Sequence, residues 1–403
     1  MKTSFARQAV VLGLLSAMGP FAIDMYLPAL PALGQSLHAS PAAAQQSLMA
    51  FFLSVGVCQL LYGPLADMLG RKRPLYAGLV LFALTSVACA FATSIESLIA
   101  WRFVQGIGAC AAMVIPRAVV RDLYTGPQAA RLMSLLMLVF SVSPLLAPLA
   151  GSAAIAWASW RAVFWAVALL AVFGLVLAVT MLPETRPPAQ RVHSTLKQAW
   201  TGYKTLLRDE RFLGLCLVSG FGMAAFFVYL ANSSFVLIEH YRLTPTVYSL
   251  FFSINAVAFI GTAQLTGRLT ARYGLSRVVR IAATGHASAM LLLVGLWYCG
   301  LGSLALLATL LFIGFGFLGL VIPTTTVLAL DDHGAIAGTA AALMGTLQMV
   351  TGAVVVSLLA QWVDGTPWPM IVGIALSSLA TVCLTWYTLA QTAPETRTRE
   401  LEA

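Results

Sequence analysis

Twelve apolar runs dominate this chain, at residues 9–30, 47–65, 75–92, 98–120, 132–156, 163–182, 212–237, 248–265, 278–298, 304–328, 336–359 and 370–389. A helix needs about 20 such residues to cross the roughly 30 Å hydrocarbon core of a bilayer. Backbone N–H and C=O groups in lipid must find partners within the protein, so only helix bundles and closed barrels are open to the chain. The runs lack the period-two alternation of a barrel strand. They therefore predict an all-α membrane protein with twelve transmembrane helices. Composition agrees, because 9% charged residues against 60% hydrophobic ones cannot clothe a water-facing surface, where about a quarter would be charged.

The first run follows Lys2 and Arg7 as a secretory signal would, but its length, Asp24 and two prolines mark it as a retained helix. Residues 183–211 form the longest polar connection. They divide the chain into a first half at 1–182, a linker at 183–211, a second half at 212–390 and a tail at 391–403. Basic residues crowd alternate loops: Arg71, Lys72 and Arg73; Arg117, Arg121 and Arg131; the linker; and Arg268, Arg272, Arg277 and Arg280. By the positive-inside rule these loops and both termini are cytoplasmic. The net charge of +9 reflects that topology and gives no reason to invoke nucleic acid.

Several chemistries find no support. The six cysteines lie in or beside apolar runs without metal-ligand spacing, so no metal is expected. No phosphate-binding loop, HExxH or GxSxG occurs. An ATP-driven pump and a familiar hydrolase both lose ground, and the chain reads as a non-enzyme whose partners are the lipid bilayer and a small solute.

The halves echo each other. Gly63-Pro-Leu-Ala-Asp67-Met-Leu-Gly70 follows the second run, and Gly267-Arg-Leu-Thr-Ala-Arg-Tyr-Gly274 follows the eighth, 204 residues later. Pro183-Glu-Thr-Arg186 closes the sixth, and Pro394-Glu-Thr-Arg397 follows the twelfth, 211 residues later. A parallel six-plus-six repeat is typical of facilitator-type secondary transporters.

The segment from Gly63 to Lys72 resembles the loop signature of the major facilitator superfamily. Asp24-Met-Tyr-Leu-Pro28-Ala-Leu-Pro31 and Arg102-Phe-Val-Gln105-Gly106-Ile-Gly108 resemble the first- and fourth-helix signatures of its twelve-helix drug exporters. With Arg121-Asp122-Leu-Tyr124, Trp160-Arg161-Ala-Val-Phe164-Trp165 and Gly338-Thr339-Ala340, the set is similar to the bicyclomycin/chloramphenicol-resistance (Bcr/CflA) branch of drug:proton antiporters. The resemblance covers nearly the whole chain. It implies a bacterial inner-membrane exporter of bicyclomycin, chloramphenicol-type or sulfonamide-type antibiotics, driven by a proton gradient without a cofactor and expected to be monomeric. A facilitator of a native metabolite such as an amino acid is the rival reading, and a membrane sensor a more distant one.

Asp24 is the acid best placed inside a run, and Arg102 is the matching basic anomaly. An ionisable group at such a position costs roughly 2.5–3.5 kcal/mol, which makes function the default reading. Both residues count to similar depths, about 6–9 Å from the outer helix ends. They are the candidate proton-coupling pair; a fixed ion pair ordering the bundle is the alternative. Gln105, one turn from Arg102, is expected to share its face. Gly63, Asp67, Gly70 and Arg71, with Asp122 as third charge, form a candidate cytoplasmic latch in which the glycines allow a tight turn and close helix approach. Ala271 stands where the second half would need the acid. Pro28, Pro144, Pro148 and Gly151 are expected to shape helices. Candidate substrate contacts are Tyr26, Gln105, Met223, Phe227, Tyr229, Asn232, Phe252 and Asn255, a mainly apolar set with a few polar groups. His286 reads as a satisfied polar residue rather than a second proton carrier.

Overall fold

The computed structural model describes residues 5–191 and 196–391. Among these, twelve helices are long and apolar enough to span a membrane. They are α1 (Phe5–Ser36), α2 (Pro41–Leu69), α3 (Lys72–Ala90), α4 (Ile95–Leu123), α5 (Arg131–Trp157) and α6 (Trp160–Met181), then α7 (Glu210–His240), α8 (Pro245–Tyr273), α9 (Leu275–Tyr298), α10 (Leu304–Asp331), α11 (Ala337–Trp362) and α12 (Trp368–Ala390). Every expected run is one of these spans, and most extend a few residues beyond it. The extensions carry polar and basic residues that hydropathy excludes but that cap helices at the membrane edge. Ser40, Ser94 and Ser303 each accept a backbone N–H in the first turn of α2, α4 and α10. No strand occurs among the described residues.

Large apolar side chains such as Leu84, Leu138, Leu169 and Val176 remain exposed. That outer surface suits lipid, where burying them against protein would gain little. Small residues let the helices meet. At Gly108 a Cβ would lie 2.6 Å from the Gly78 carbonyl oxygen of α3, and at Gly106 it would lie 2.6 Å from the Phe51 carbonyl oxygen of α2. Those approaches require glycine. Gly63 differs from the expectation, since nothing lies within 4 Å of a Cβ built there. It sits inside α2 on an open face, so close helix approach does not account for it.

The chain forms two compact units. One reaches to Thr201 and takes in Leu230–Ser253 and Ala360–Gly365; the other holds Gly202–Tyr229, Ile254–Leu359 and the chain from Thr366 onward. The first unit thus includes the end of α7 and the start of α8. Specific bonds hold them there: Gln45 Nε2 donates to Asn232 Oδ1 at 3.0 Å, and Ser249 and Ser253 donate to the Pro148 and Leu145 carbonyls of α5.

The repeat is visible in the backbone. Gly70 and Gly274, the last residues of the two repeated segments, share the left-handed region at φ 87° and 79°. The second copy of the Pro-Glu-Thr-Arg motif lies outside the described residues.

Candidate functional site

The first span is broken at its acid. Its helix runs from Phe5 to Asp24, a turn follows, and the chain resumes as a short 3-10 turn at Leu27–Ala29 and a helix at Leu30–Ser36. Pro28 supplies no N–H for the Asp24 carbonyl, so the helix cannot continue through it. The Tyr26 N–H turns to the Ile23 carbonyl, which leaves the Ala22 carbonyl without its usual partner. Arg102 Nη1 reaches that carbonyl at 3.5 Å. Gly151 of α5 packs directly on the Met25 carbonyl, so a small residue on one helix accommodates the break in another. Broken helices at mid-membrane are where transporters place their ion and substrate sites.

Arg102 is fully buried, yet no carboxylate among the described residues pairs with it. Its guanidinium carbon lies 4.3 Å from the Phe51 ring centre, 4.6 Å from Tyr26 and 5.9 Å from Phe164. A desolvated cation over an aromatic face gains about 2 kcal/mol, and arginine tolerates this because it is weakly hydrated. Nη1 also donates to Gln105 Oε1 at 2.6 Å, while Gln105 Nε2 donates to Ser86 Oγ at 2.7 Å. Nε and Nη2 are enclosed without a protein acceptor. Asp24, also buried, enters no ion pair among the described residues. Equal depth therefore brings these two residues into one region without making them a bonded pair.

On the arginine-rich side of the same unit, the expected latch residues converge. Arg71 meets Asp122 through two hydrogen bonds of 2.7 and 3.1 Å and meets Asp67 at 2.7 Å. Burial alone would weaken the hold of Arg71 on its proton. The hydrogen bonds and charges of Asp122 and Asp67 outweigh it and raise that affinity. Three further residues complete the cluster, and all come from Pro183-Glu-Thr-Arg186. Glu184 accepts the backbone N–H groups of Arg71 at 2.9 Å, Lys72 at 3.2 Å and Arg186 at 3.1 Å, capping the start of α3. Thr185 Oγ1 donates to Asp122, and Arg186 reaches both the carboxylate and the carbonyl of Asp67. Burial would raise the affinity of Glu184 for a proton, but the three N–H bonds and the Arg191 charge prevail and hold its carboxyl below the usual range. The left-handed turn at Gly70 fits beneath these side chains, since a Cβ there would lie 2.6 Å from Glu184 Oε2 and Arg191 Nη2. The motif's recurrence at an equivalent place in each half was the available signal for Glu184, Thr185 and Arg186.

The second half answers differently. Asp332, 210 residues after Asp122, pairs with Arg211 Nη1 at 2.7 Å, and Asp209 meets His333 at 3.1 Å. A brace exists there, built from Asp209 and Arg211 at the start of α7 and from Asp332 and His333 after α10, without a loop arginine.

The substrate candidates are divided between the two compact units, Tyr26, Gln105, Asn232 and Phe252 in the first and Met223, Phe227, Tyr229 and Asn255 in the second. Tyr26 and Gln105 belong to the cage around Arg102, and the Tyr26 hydroxyl bonds Ser47 at 2.6 Å. Asn232 is engaged by Gln45. Tyr229 takes a hydrogen bond from Asn255 Nδ2 at 3.0 Å and packs on Phe315 at 4.9 Å. Phe227 fills the space over Gly352, and Phe252 lies beside Tyr248; Met223 is half-buried. His286 is enclosed, with Nδ1 2.9 Å from the Gly314 carbonyl but Nε2 without a partner among the described residues, so the expected satisfied polar residue is satisfied at one ring nitrogen only. Phe51, Phe164 and Ser86 were not expected around Arg102. Of these, Phe164 lay within the quoted Trp160–Trp165 motif, whereas nothing local distinguishes Phe51 from other apolar residues.

The model of the family described as Major Facilitator Superfamily matches residues 12–356. The chain is 35% identical over 351 residues to the "Uncharacterized MFS-type transporter YdgK" of Bacillus subtilis (strain 168), covering 86% of this chain and 87% of that protein. It is 30% identical to the "Bicyclomycin resistance protein homolog" of Haemophilus influenzae, over 90% of this chain and 91% of the relative. Among solved structures, a D-xylose-proton symporter superposes with a TM-score of 0.71 at 18% identity, covering 94% of this chain and 97% of that one; this likeness concerns the fold alone.

Proposed function

Because the chain belongs to the major facilitator superfamily, and within it to the bicyclomycin/chloramphenicol-resistance branch, we propose that it exports small lipophilic or weakly polar antibiotics by proton antiport. It is a multi-pass protein of the bacterial inner membrane, and its relatives are transporters rather than enzymes. The observation that carries the proposal is Asp24 at the broken end of the first helical segment of α1, a carboxyl inside a membrane span that enters no ion pair among the described residues. A carboxylate bound to Arg102 would be a fixed strut. An unpaired one is available to take up and give back a proton as its surroundings change. Arg102, held by aromatic faces, Gln105 and the Ala22 carbonyl, maintains the break beside it. The brace of Asp67, Arg71, Asp122 and Glu184 acts as a conformational latch on the cytoplasmic side. Bicyclomycin, chloramphenicol-type and sulfonamide-type compounds are the proposed substrates, the proton gradient is the sole energy source, and one chain is the working unit.

One proton exchanged for one neutral drug moves one net charge. About 150 mV of proton-motive force then supplies about 3.5 kcal/mol, enough for a gradient of a few hundredfold. The test is reconstituted protein with an imposed pH gradient and a labelled drug. Asp24→Asn is expected to abolish uphill export while downhill exchange persists. Uphill export at the wild-type rate would refute the proton role of Asp24.

A further inference from the structure

The α8–α9 connection repeats the α2–α3 loop, yet its cations pair with no carboxylate among the described residues. Arg71 is gripped by Asp67 and Asp122. In the second half Ala271 replaces the loop acid, and Asp332 is taken by Arg211. Arg268, Arg272, Arg277 and Arg280 therefore form no ion pair among the described residues, and neither does Asp331, one turn beyond Leu328. Arginines left at a membrane edge without an internal counter-charge call for an external one.

Two of these arginines, Arg277 and Arg280, border a groove of about 980 Å³, formed by α9, the end of α10 and α12 within one compact unit. Arg280 is pinned in its wall: Nη2 donates to the Leu389 carbonyl at 2.9 Å, and the guanidinium lies 5.1 Å from the Trp386 ring centre. Its Nε is enclosed and has no acceptor among the described residues. Arg277, Thr284 and Ser288 follow one another along the exposed face of α9, and the Trp386 indole N–H lies 3.4 Å from Thr284 Oγ1. Farther along that face come Leu291 and Leu292, 43% and 53% exposed. From Arg277 to Leu292 the helix rises about 22 Å. The face thus begins with guanidinium, carries Ile281 and the two hydroxyls along its middle and ends in bare hydrocarbon, so that charge lies at one end and apolar surface at the other, as headgroup and acyl chain do in a phospholipid.

We propose that this groove binds an anionic phospholipid of the leaflet on the arginine-rich side, with the phosphodiester at Arg277 and Arg280 and an acyl chain along the apolar stretch of α9. Arginine forks match phosphate oxygens in geometry and charge, and basic pockets between membrane helices are suited to such headgroups. A net-negative lipid fits better than a zwitterionic one, because the loop brings cations and no acid of its own. The inference is independent of what the protein exports.

The test is native mass spectrometry of the full chain, delipidated in mild detergent and titrated with dioleoyl phosphatidylglycerol or dioleoyl phosphatidylcholine. Phosphatidylglycerol is expected to bind at least about tenfold more tightly. Arg277→Gln, at an exposed side chain, is expected to weaken phosphatidylglycerol about fivefold, and Arg277→Gln with Arg280→Gln about 25-fold. Arg268→Gln, outside the groove, is expected to leave it unchanged. If the double variant fails to fold, Arg277→Gln alone decides. Equal binding of the two lipids, or unaltered binding by Arg277→Gln, would overturn the proposal. Displacement of phosphatidylglycerol by millimolar inorganic phosphate would also overturn it, showing an anion site rather than a lipid site.

Discussion

Replacing Glu184 by alanine removes the acceptor for three backbone N–H groups while leaving the charges of Asp67, Arg71 and Asp122 in place. The Arg71 donor is enclosed, so its loss costs about 1–2 kcal/mol, as for a lost helix cap. Lys72 and Arg186 are half-buried, but their bonds to Glu184 lie at the exposed rim and these N–H groups can turn to water, which holds each loss to about 0.5 kcal/mol. The Arg191 ion pair at 3.7 Å adds little, being partly solvated. The total is about 2–3 kcal/mol, or roughly a 30- to 150-fold rise in local opening. Hydrogen exchange read by mass spectrometry on peptides spanning residues 70–75 and 183–188 measures this directly, with α9 as internal reference. Transport is expected to slow with little change in drug affinity, because no substrate contact is removed. Unchanged exchange at Arg71 and Lys72 would refute the capping role, and wild-type transport alongside faster exchange would refute the latch. The pH dependence has a fixed sign. Glu184 titrates below the usual carboxylate range when folded, so its contribution is full above the unfolded value of about 4.3 and is lost as pH falls through the folded value. Exchange at these amides should therefore be insensitive to Glu184 titration between pH 5 and 8 and accelerate only in stronger acid.

Two other substitutions probe the site. Arg102→Lys is expected to fail where charge alone would suffice, because an ammonium cannot stack on Tyr26 and Phe51 while reaching both Gln105 and the Ala22 carbonyl; wild-type transport by this variant would show that only charge is needed. Gly106→Val forces a side chain against the Phe51 carbonyl and Ser54, and overpacking of this kind costs about 1–3 kcal/mol or more. A lowered melting temperature in detergent is the readout, and an unchanged one would show that α2 and α4 can separate freely.

What could be read from residues alone and what could not divide along a physical line. The twelve spans were legible because solvation is a local property: each 20-residue run must be helical in lipid whatever its neighbours do. The break at Asp24 was partly legible, since Pro28 announces a missing N–H. Gly70 and Arg71 were legible as a tight turn with a charge, and a recurring motif marked Glu184, Thr185 and Arg186 without saying what they bind. Partner choice lay outside the sequence. Asp24 and Arg102 count to the same depth, yet depth leaves the azimuth of each helix open, and the bundle turns Arg102 onto Phe51, Tyr26, Phe164 and Gln105. The neighbours of each substrate candidate lay outside the sequence for the same reason, because composition names residue types while packing decides what each one touches. Gly63 and Gly106 look alike in the sequence, but only Gly106 lies against a neighbouring backbone. The chain by itself determined how many times it crosses the membrane and where its charges fall, through the cost of desolvating backbone and side chains. Tertiary structure alone decided which buried charge is paired, caged or left available, because that depends on the rotation of one helix against another.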